Sequence, residues 1–134
     1  MKILIADDQK IYRATLHAML QPFGECVVVE DGEQAVQAFA EALERKDPFR
    51  LVLLDIEMPF MDGQQALVQM RLMERRVYGP TLNTKDFACI IMQTSLDDPI
   101  TFITAFKKGH CNGYLTKPVT RDELLEKMKN HGLI

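Results

Sequence analysis

The chain has no tryptophan and only three cysteines, Cys26, Cys89 and Cys111. An odd set of thiols without C-x-x-C spacing suggests neither a disulfide framework nor a thiolate metal cluster, and it suits a reducing cytoplasm. His17, His110 and His131 are too far apart in sequence to form a ligand pair and read as surface residues. No apolar run approaches the roughly 18 residues needed to cross a bilayer, because Asp55 and Glu57 interrupt the richest stretch. Ile3, Leu4 and Ile5 are too few for an export signal and lead straight into Asp7 and Asp8. No membrane association is therefore expected. Strong positive charge is also missing: the net charge is -3, with only short basic clusters at Arg75-Arg76 and Lys107-Lys108, so direct nucleic-acid binding is not expected. Neither G-x-G-x-x-G nor a P-loop follows the first apolar run, which argues against nucleotide binding. Repeats and Pro/Ser-rich linkers are absent, and 134 residues read as one domain, 1–134, with no output domain.

What is present is order. Short apolar runs recur at Ile3 to Ala6, Cys26 to Val29, Leu51 to Leu54, Phe87 to Met92 and Gly113 to Leu115. Several are β-branched and lack strict alternation, as in strands covered on both faces. Helical periodicity lies between them, with Val36, Phe39 and Leu43 on one face, and Leu67, Met70 and Val77 on another. Asp31 with Gln34, Asp62 with Gln65, and Thr120 with Glu123 have the spacing of helix caps, and Asp98 precedes Pro99 in the favoured order. These pairs predict the starts of the second, third, fifth and fourth helices respectively. Gly79, Pro80 and Asn83 predict that the third helix ends near Tyr78 and that a long polar loop follows. Strand then helix, five times over, implies right-handed crossovers and a doubly wound α/β fold with a five-stranded parallel sheet and five helices.

The chemistry-bearing residues all fall at one edge of such a sheet. Asp7 and Asp8 follow the first strand, Asp55 ends the third, Thr94 ends the fourth and Lys117 follows the fifth. In open parallel sheets the carboxyl ends of the strands border the binding crevice, so these residues should converge. Three carboxylates held together repel one another unless a cation intervenes, and Mg²⁺ suits a few carboxylates, water and phosphate oxygens. Asp8 would hold the ion most directly, and Asp7 through water or a direct bond. Asp55 can then attack a phosphoryl donor as a carboxylate nucleophile, yielding an acyl phosphate. Lys117 supplies a point charge and Thr94 a hydroxyl to the phosphoryl oxygens. Each residue also has a bland reading: Asp8 as the cap of the first helix, Asp55 in an Asx turn, Thr94 or Ser95 opening a turn, Lys117 as a solvated charge. Their joint placement at one edge favours the chemical reading.

Asp7-Asp8, Asp55 with Met58-Pro59 and Met61-Asp62-Gly63, Thr94-Ser95, and Tyr114-Leu115-Thr116-Lys117-Pro118 together resemble the receiver domain of two-component response regulators, over nearly the whole chain. The resemblance implies a (βα)5 flavodoxin-like fold in which Asp55 is the phosphoacceptor. Asp7, Asp8 and Asp55 would bind Mg²⁺, with the main-chain carbonyl of Glu57 completing the metal shell. Thr94 and Lys117 would bind the phosphoryl group, and Thr94 with Tyr114 would form a switch in which the hydroxyl moves and the ring turns inward. It further implies a cis Lys117-Pro118 bond. The donor would be a sensor histidine kinase or a histidine phosphotransfer protein, and the output a partner-binding surface on a monomer or weak dimer. Such a domain accepts a phosphoryl group without being a turnover enzyme.

Four features depart from the common pattern. Glu57 adds a carboxylate beside Asp55, Ser95 and Leu96 follow the switch threonine, and the stretch from Gly63 to Thr94 is long. Tyr114 also reads as ordinary packing, and Phe102 with Phe106 as either core or a docking patch. Alternative functions are a relay intermediate that passes the phosphoryl group on, a receiver excised from a larger regulator or hybrid kinase, and an aspartyl phosphatase or phosphomutase. The last normally uses a second Asp two residues after the nucleophile, where this chain has Glu57, and a cap domain for which there is no room.

Overall fold

Strands that lack polar alternation must be covered on both sides, and the layers of this protein follow from that requirement. The structure, a computed structural model, describes residues 1–79, 86–94 and 111–134. Its strands are β1 (Lys2–Ala6), β2 (Glu25–Val29), β3 (Leu51–Asp55), β4 (Cys89–Thr94) and β5 (Gly113–Thr116). All are parallel, in one sheet of order β2-β1-β3-β4-β5. This is the doubly wound, flavodoxin-like order, with its switch point between β1 and β3. Every residue of β3 and β4 is buried, whereas β2 at the edge is only partly covered.

The described helices are α1 (Lys10–Leu20), α2 (Gly32–Glu44), α3 (Gly63–Tyr78) and α4 (Arg121–Asn130), with a 3-10 turn at Gln21–Phe23. Among the described residues there are four; the helix expected to start at Asp98-Pro99 lies outside them. So do Ser95, Leu96, Phe102, Phe106, Lys107, Lys108 and His110. One face of the sheet carries Leu4, Val52, Leu54, Ile90 and Met92 against Phe39 of α2 and Leu67 and Met70 of α3. The other carries Ile3, Ile5, Leu53, Ile91 and Leu115 against Leu16 of α1 and Leu124 and Met128 of α4. Each fully buried Leu or Ile contributes about 1.5–3 kcal/mol, so these two layers dominate the stability. No helix among the described residues is long and apolar enough to cross a membrane.

The expected caps are made, with differences in detail. The Asp62 side chain accepts from the Gln65 N–H at 2.8 Å, and the Gln65 side chain accepts from the Asp62 N–H at 3.1 Å, a full capping box. Asp31 and Thr120 accept from Gln34 and Glu123, but the Gln34 side chain reaches past Asp31 to the Glu30 N–H. Asp8 does not cap α1: the cap position is Gln9, whose N–H donates to Asp7 Oδ1 at 2.9 Å. Asp62→Ala should cost about 1 kcal/mol, a fall in Tm of roughly 3–5 °C by calorimetry, with the sheet retained in the circular dichroism spectrum.

Two expected positions shift. β4 begins at Cys89, not at Phe87, because its ladder with β3 starts at Leu51↔Cys89. The Ala88 N–H goes instead to the Glu74 carboxylate, and Phe87 packs on Tyr78 with ring centroids 6.2 Å apart. Val77, expected on the apolar face of α3, is 56% exposed. Ten residues past Leu67, it has turned about 80° away from the buried stripe. The inner face there is supplied by Arg71 and Glu74, both buried. α3 ends at Tyr78, as the sequence predicts, and Gly79 follows at φ 92°, a region that favours glycine.

Candidate functional site

The residues that the sequence places at the strand ends do converge. A carboxylate oxygen from each of Asp7, Asp8 and Asp55 lies within 4.8 Å of the others. Asp7 and Asp55 are buried and Asp8 is exposed, so the cluster opens to solvent on the Asp8 side. Lys117 reaches across from the β5 end, with Nζ 2.8 Å from Asp7 Oδ2 and 3.2 Å from Asp55 Oδ2. The bond between Lys117 and Pro118 is cis. Thr94, buried at the end of β4, accepts the Lys117 N–H on its carbonyl at 2.7 Å, which ties the two residues together through the backbone.

Local geometry explains why Asp55 points where it does. Its Oδ1 accepts the Glu57 N–H at 3.2 Å, an Asx-type turn that leaves the Glu57 side chain exposed. The Gly63 N–H then donates to the Ile56 carbonyl at 2.8 Å, and a Cβ on Gly63 would run into the carbonyl of Asp55. Only glycine lets α3 start this close to the site loop. Within the loop, Met61 N–H returns to the Pro59 carbonyl around Phe60, a residue at φ 68° and 83% exposed. Backbone of this kind is costly for a bulky side chain and is found mainly where function over-determines the loop. An open cleft of about 600 Å³ beside it is lined by Asp8, Glu57, Met58, Pro59 and Asp62, and gives a route to the carboxylates.

The electrostatics are those of an incompletely neutralised site. Burial pushes the Asp55 carboxyl up to about 7; the Lys117 ammonium opposes this and the Asp7 charge adds to it. Burial pulls the Lys117 ammonium down, but Asp7 and Asp55 outweigh it and hold it above the ordinary lysine value. Once all three carboxylates are ionised, the single ammonium leaves an excess of two negative charges. Asp7 Oδ2, fully buried, has the Lys117 ammonium as its charge partner at 2.8 Å and keeps a lone pair for a further ligand. An all-oxygen cluster with this charge excess fits a hard divalent cation such as Mg²⁺.

Three neighbours escaped the sequence reading. The Tyr12 ring lies under the Lys117 ammonium, 4.4 Å from Nζ to centroid, and Arg13 donates to the Asp7 carbonyl at 2.9 Å. Only the phase of α1 carries a signal for them, since both sit in its first turn facing the end of β1. Gln93, fully buried beside Asp55, was hidden within an apolar run. Tyr114 is 39% exposed, with Lys127 Nζ 5.6 Å from its ring centroid, so the ring faces outward here. His17 and His131 are exposed, as expected.

Five parallel strands in this order, with an acid cluster and a lysine gathered at the carboxyl edge of the sheet, define a flavodoxin-like fold of the receiver type. The family model of the response regulator receiver domain matches residues 3–129, and the chain belongs to that family. A two-component response regulator of rice, ORR41, is 28% identical over 92% of this chain and 87% of its own length. The chain spans about half or less of the length of several other curated relatives. The receiver domain of the Arabidopsis thaliana histidine kinase CKI1, solved with Mg²⁺, superposes with a TM-score of 0.82 at 22% identity, covering 97% of this chain and 90% of that one. The receiver of Ssk1 from Saccharomyces cerevisiae, solved with the histidine phosphotransfer protein Ypd1, gives 0.80 at 24% identity, over 98% and 88%.

Proposed function

We propose that residues 1–134 act as one receiver unit that accepts a phosphoryl group on Asp55, from a sensor histidine kinase or a histidine phosphotransfer protein, and signals by exposing or reshaping a partner-binding surface. The observation that carries this reading is the Lys117 bridge between two buried aspartates, joined by the open-sided Asp8. Asp55 Oδ attacks phosphorus, the phosphorus–nitrogen bond to the donor histidine breaks, and the electron pair leaves with the imidazole. Lys117 and the Thr94 hydroxyl then face the phosphoryl oxygens. Asp7, Asp8, Asp55 and the Glu57 main-chain carbonyl would hold Mg²⁺, which would supply the positive charge that lets phosphate approach acids. A group carrying roughly -1.5 to -2 charge would draw Thr94 toward it and leave room for Tyr114 to turn inward, which is the switch. Transient acceptance of this kind is signalling rather than turnover. The three free cysteines support a reducing compartment, and on that ground the reading is of a cytoplasmic chain.

Incubation with acetyl phosphate and Mg²⁺ followed by intact-mass analysis tests the proposal: one phosphoryl adduct, lost on chelation before the donor is added, is the expected result. No adduct under these conditions sinks it.

Acidity gives a second handle. The raised Asp55 value means that between about pH 4 and about pH 7 the folded chain keeps a proton that the unfolded chain has released. This carboxyl therefore contributes stability at low pH that is lost as pH rises through about 7. Lys117 stays protonated throughout, so its contribution is constant across the window. In chelator, Tm should fall between about pH 5 and about pH 8, and millimolar Mg²⁺ should restore it at the upper pH while doing little at the lower, where protons compete for the ligands. Equal stabilisation by Mg²⁺ at both values would place the ion elsewhere.

A further inference from the structure

Alternation along the strands assigns each residue to a layer. On the α1/α4 side lie Ile3 and Ile5 of β1, Leu51 and Leu53 of β3, Cys89 and Ile91 of β4, and Leu115 of β5. Two residues further along each strand, the same side carries Asp7, Asp55, Gln93 and Lys117. Gln93 is the register partner of Asp55 across the β3–β4 ladder and of Leu115 across β4–β5. It is 0% exposed, and neither its Nε2 nor its Oε1 has a hydrogen-bond partner among the described residues. A buried amide in an apolar layer costs about 1–3 kcal/mol when left unsatisfied, so an apolar residue would serve the fold better there. Its register partner on that side is Asp55, whose Oδ1 accepts from the Glu57 N–H and whose Oδ2 accepts from Lys117.

We propose that Gln93 is a positioning residue for Asp55: its amide supports the carboxylate from the interior through one ordered internal water. Such a water needs two to four polar partners, and the Gln93 amide with the Asp55 carboxylate supplies them. The support holds Asp55 in its attacking orientation while Lys117 and Glu57 bind it from the open side. This inference rests on the assignment of Asp55 as phosphoacceptor.

The test compares wild type, Gln93→Met and Gln93→Asn in acetyl phosphate and Mg²⁺, following adduct formation by intact mass and Tm by calorimetry. Methionine matches the length of glutamine without its polar head. One hydrogen bond's worth of positioning predicts loading slowed by about fivefold in Gln93→Met, with partial recovery in Gln93→Asn, which keeps an amide. Because the amide is already satisfied through water, Tm should change by no more than about 2–3 °C in either variant. Loading at the wild-type rate, with Tm raised by several degrees in Gln93→Met, identifies a mere orphaned amide and overturns the inference alone. A wild type that takes up no phosphoryl group overturns it together with the receiver assignment.

Discussion

Asp55→Asn should take up no phosphoryl group from acetyl phosphate and Mg²⁺ under conditions that label the wild type. An amide oxygen is a poor nucleophile, while Asp7, which is likewise buried against the lysine and a main-chain N–H, is left unchanged. The variant separates chemistry from folding. Asparagine keeps the size of the side chain and removes a carboxyl whose ionised form is disfavoured by burial and by Asp7, so Tm at about pH 8 in chelator should rise rather than fall. Intact mass and calorimetry on the same sample therefore move in opposite directions. An adduct on the Asn variant would relocate the acceptor, and Asp8, exposed at the mouth of the cluster, would be the next residue to replace.

Residues whose role follows from their place at an element boundary were legible in the sequence. Asp31, Asp62 and Thr120 announce helix starts by their spacing to Gln34, Gln65 and Glu123, and the structure makes all three bonds. The convergence of Asp7, Asp55, Thr94 and Lys117 was legible for the same reason, because a parallel sheet gathers its strand ends whatever the loops do. Residues whose role depends on contacts between elements were not. Tyr12 looks like any aromatic on an amphipathic helix until Lys117 is seen over its ring. Gln93 sits where apolar residues precede it and Thr94 follows, and only the register against Asp55 gives it meaning. Phe60, between Pro59 and Met61, gives no hint of a left-handed backbone, which glycine would normally signal. Arg71 and Glu74 read as one more solvated i,i+3 pair among Arg75 and Arg76, yet they are the charged residues that α3 buries.

That buried pair supports the second large prediction. Arg71 Nη1 lies 2.7 Å from Glu74 Oε1 and also donates to the Ala88 carbonyl at 2.9 Å, while Nη2 donates to Asn112 Oδ1 at 2.7 Å. Glu74 Oε2 accepts the Ala88 N–H, and Asn112 Oδ1 accepts the Ile90 N–H as well. Two side chains on α3 thus satisfy the backbone where β4 begins and anchor the residue before β5, at the amino edge of the sheet and so opposite the acid cluster. Burial pushes the Glu74 carboxyl up, and Arg71, helped by the Ala88 N–H, opposes that rise. Arg71→Met should therefore strand a carboxyl in the interior and cost about 3–5 kcal/mol, a fall in Tm of roughly 10–15 °C. Adding Glu74→Leu should recover part of the loss, because the orphaned charge goes while the Ala88 N–H stays unpaired. Recovery would show that the cost lies in desolvation rather than in lost attraction. Phosphoryl loading by the folded fraction should be unchanged, since the clamp and the site share only the rigid strands between them. A loading defect in Arg71→Met that persists where the protein is fully folded would instead make α3 a mechanical link between the two edges.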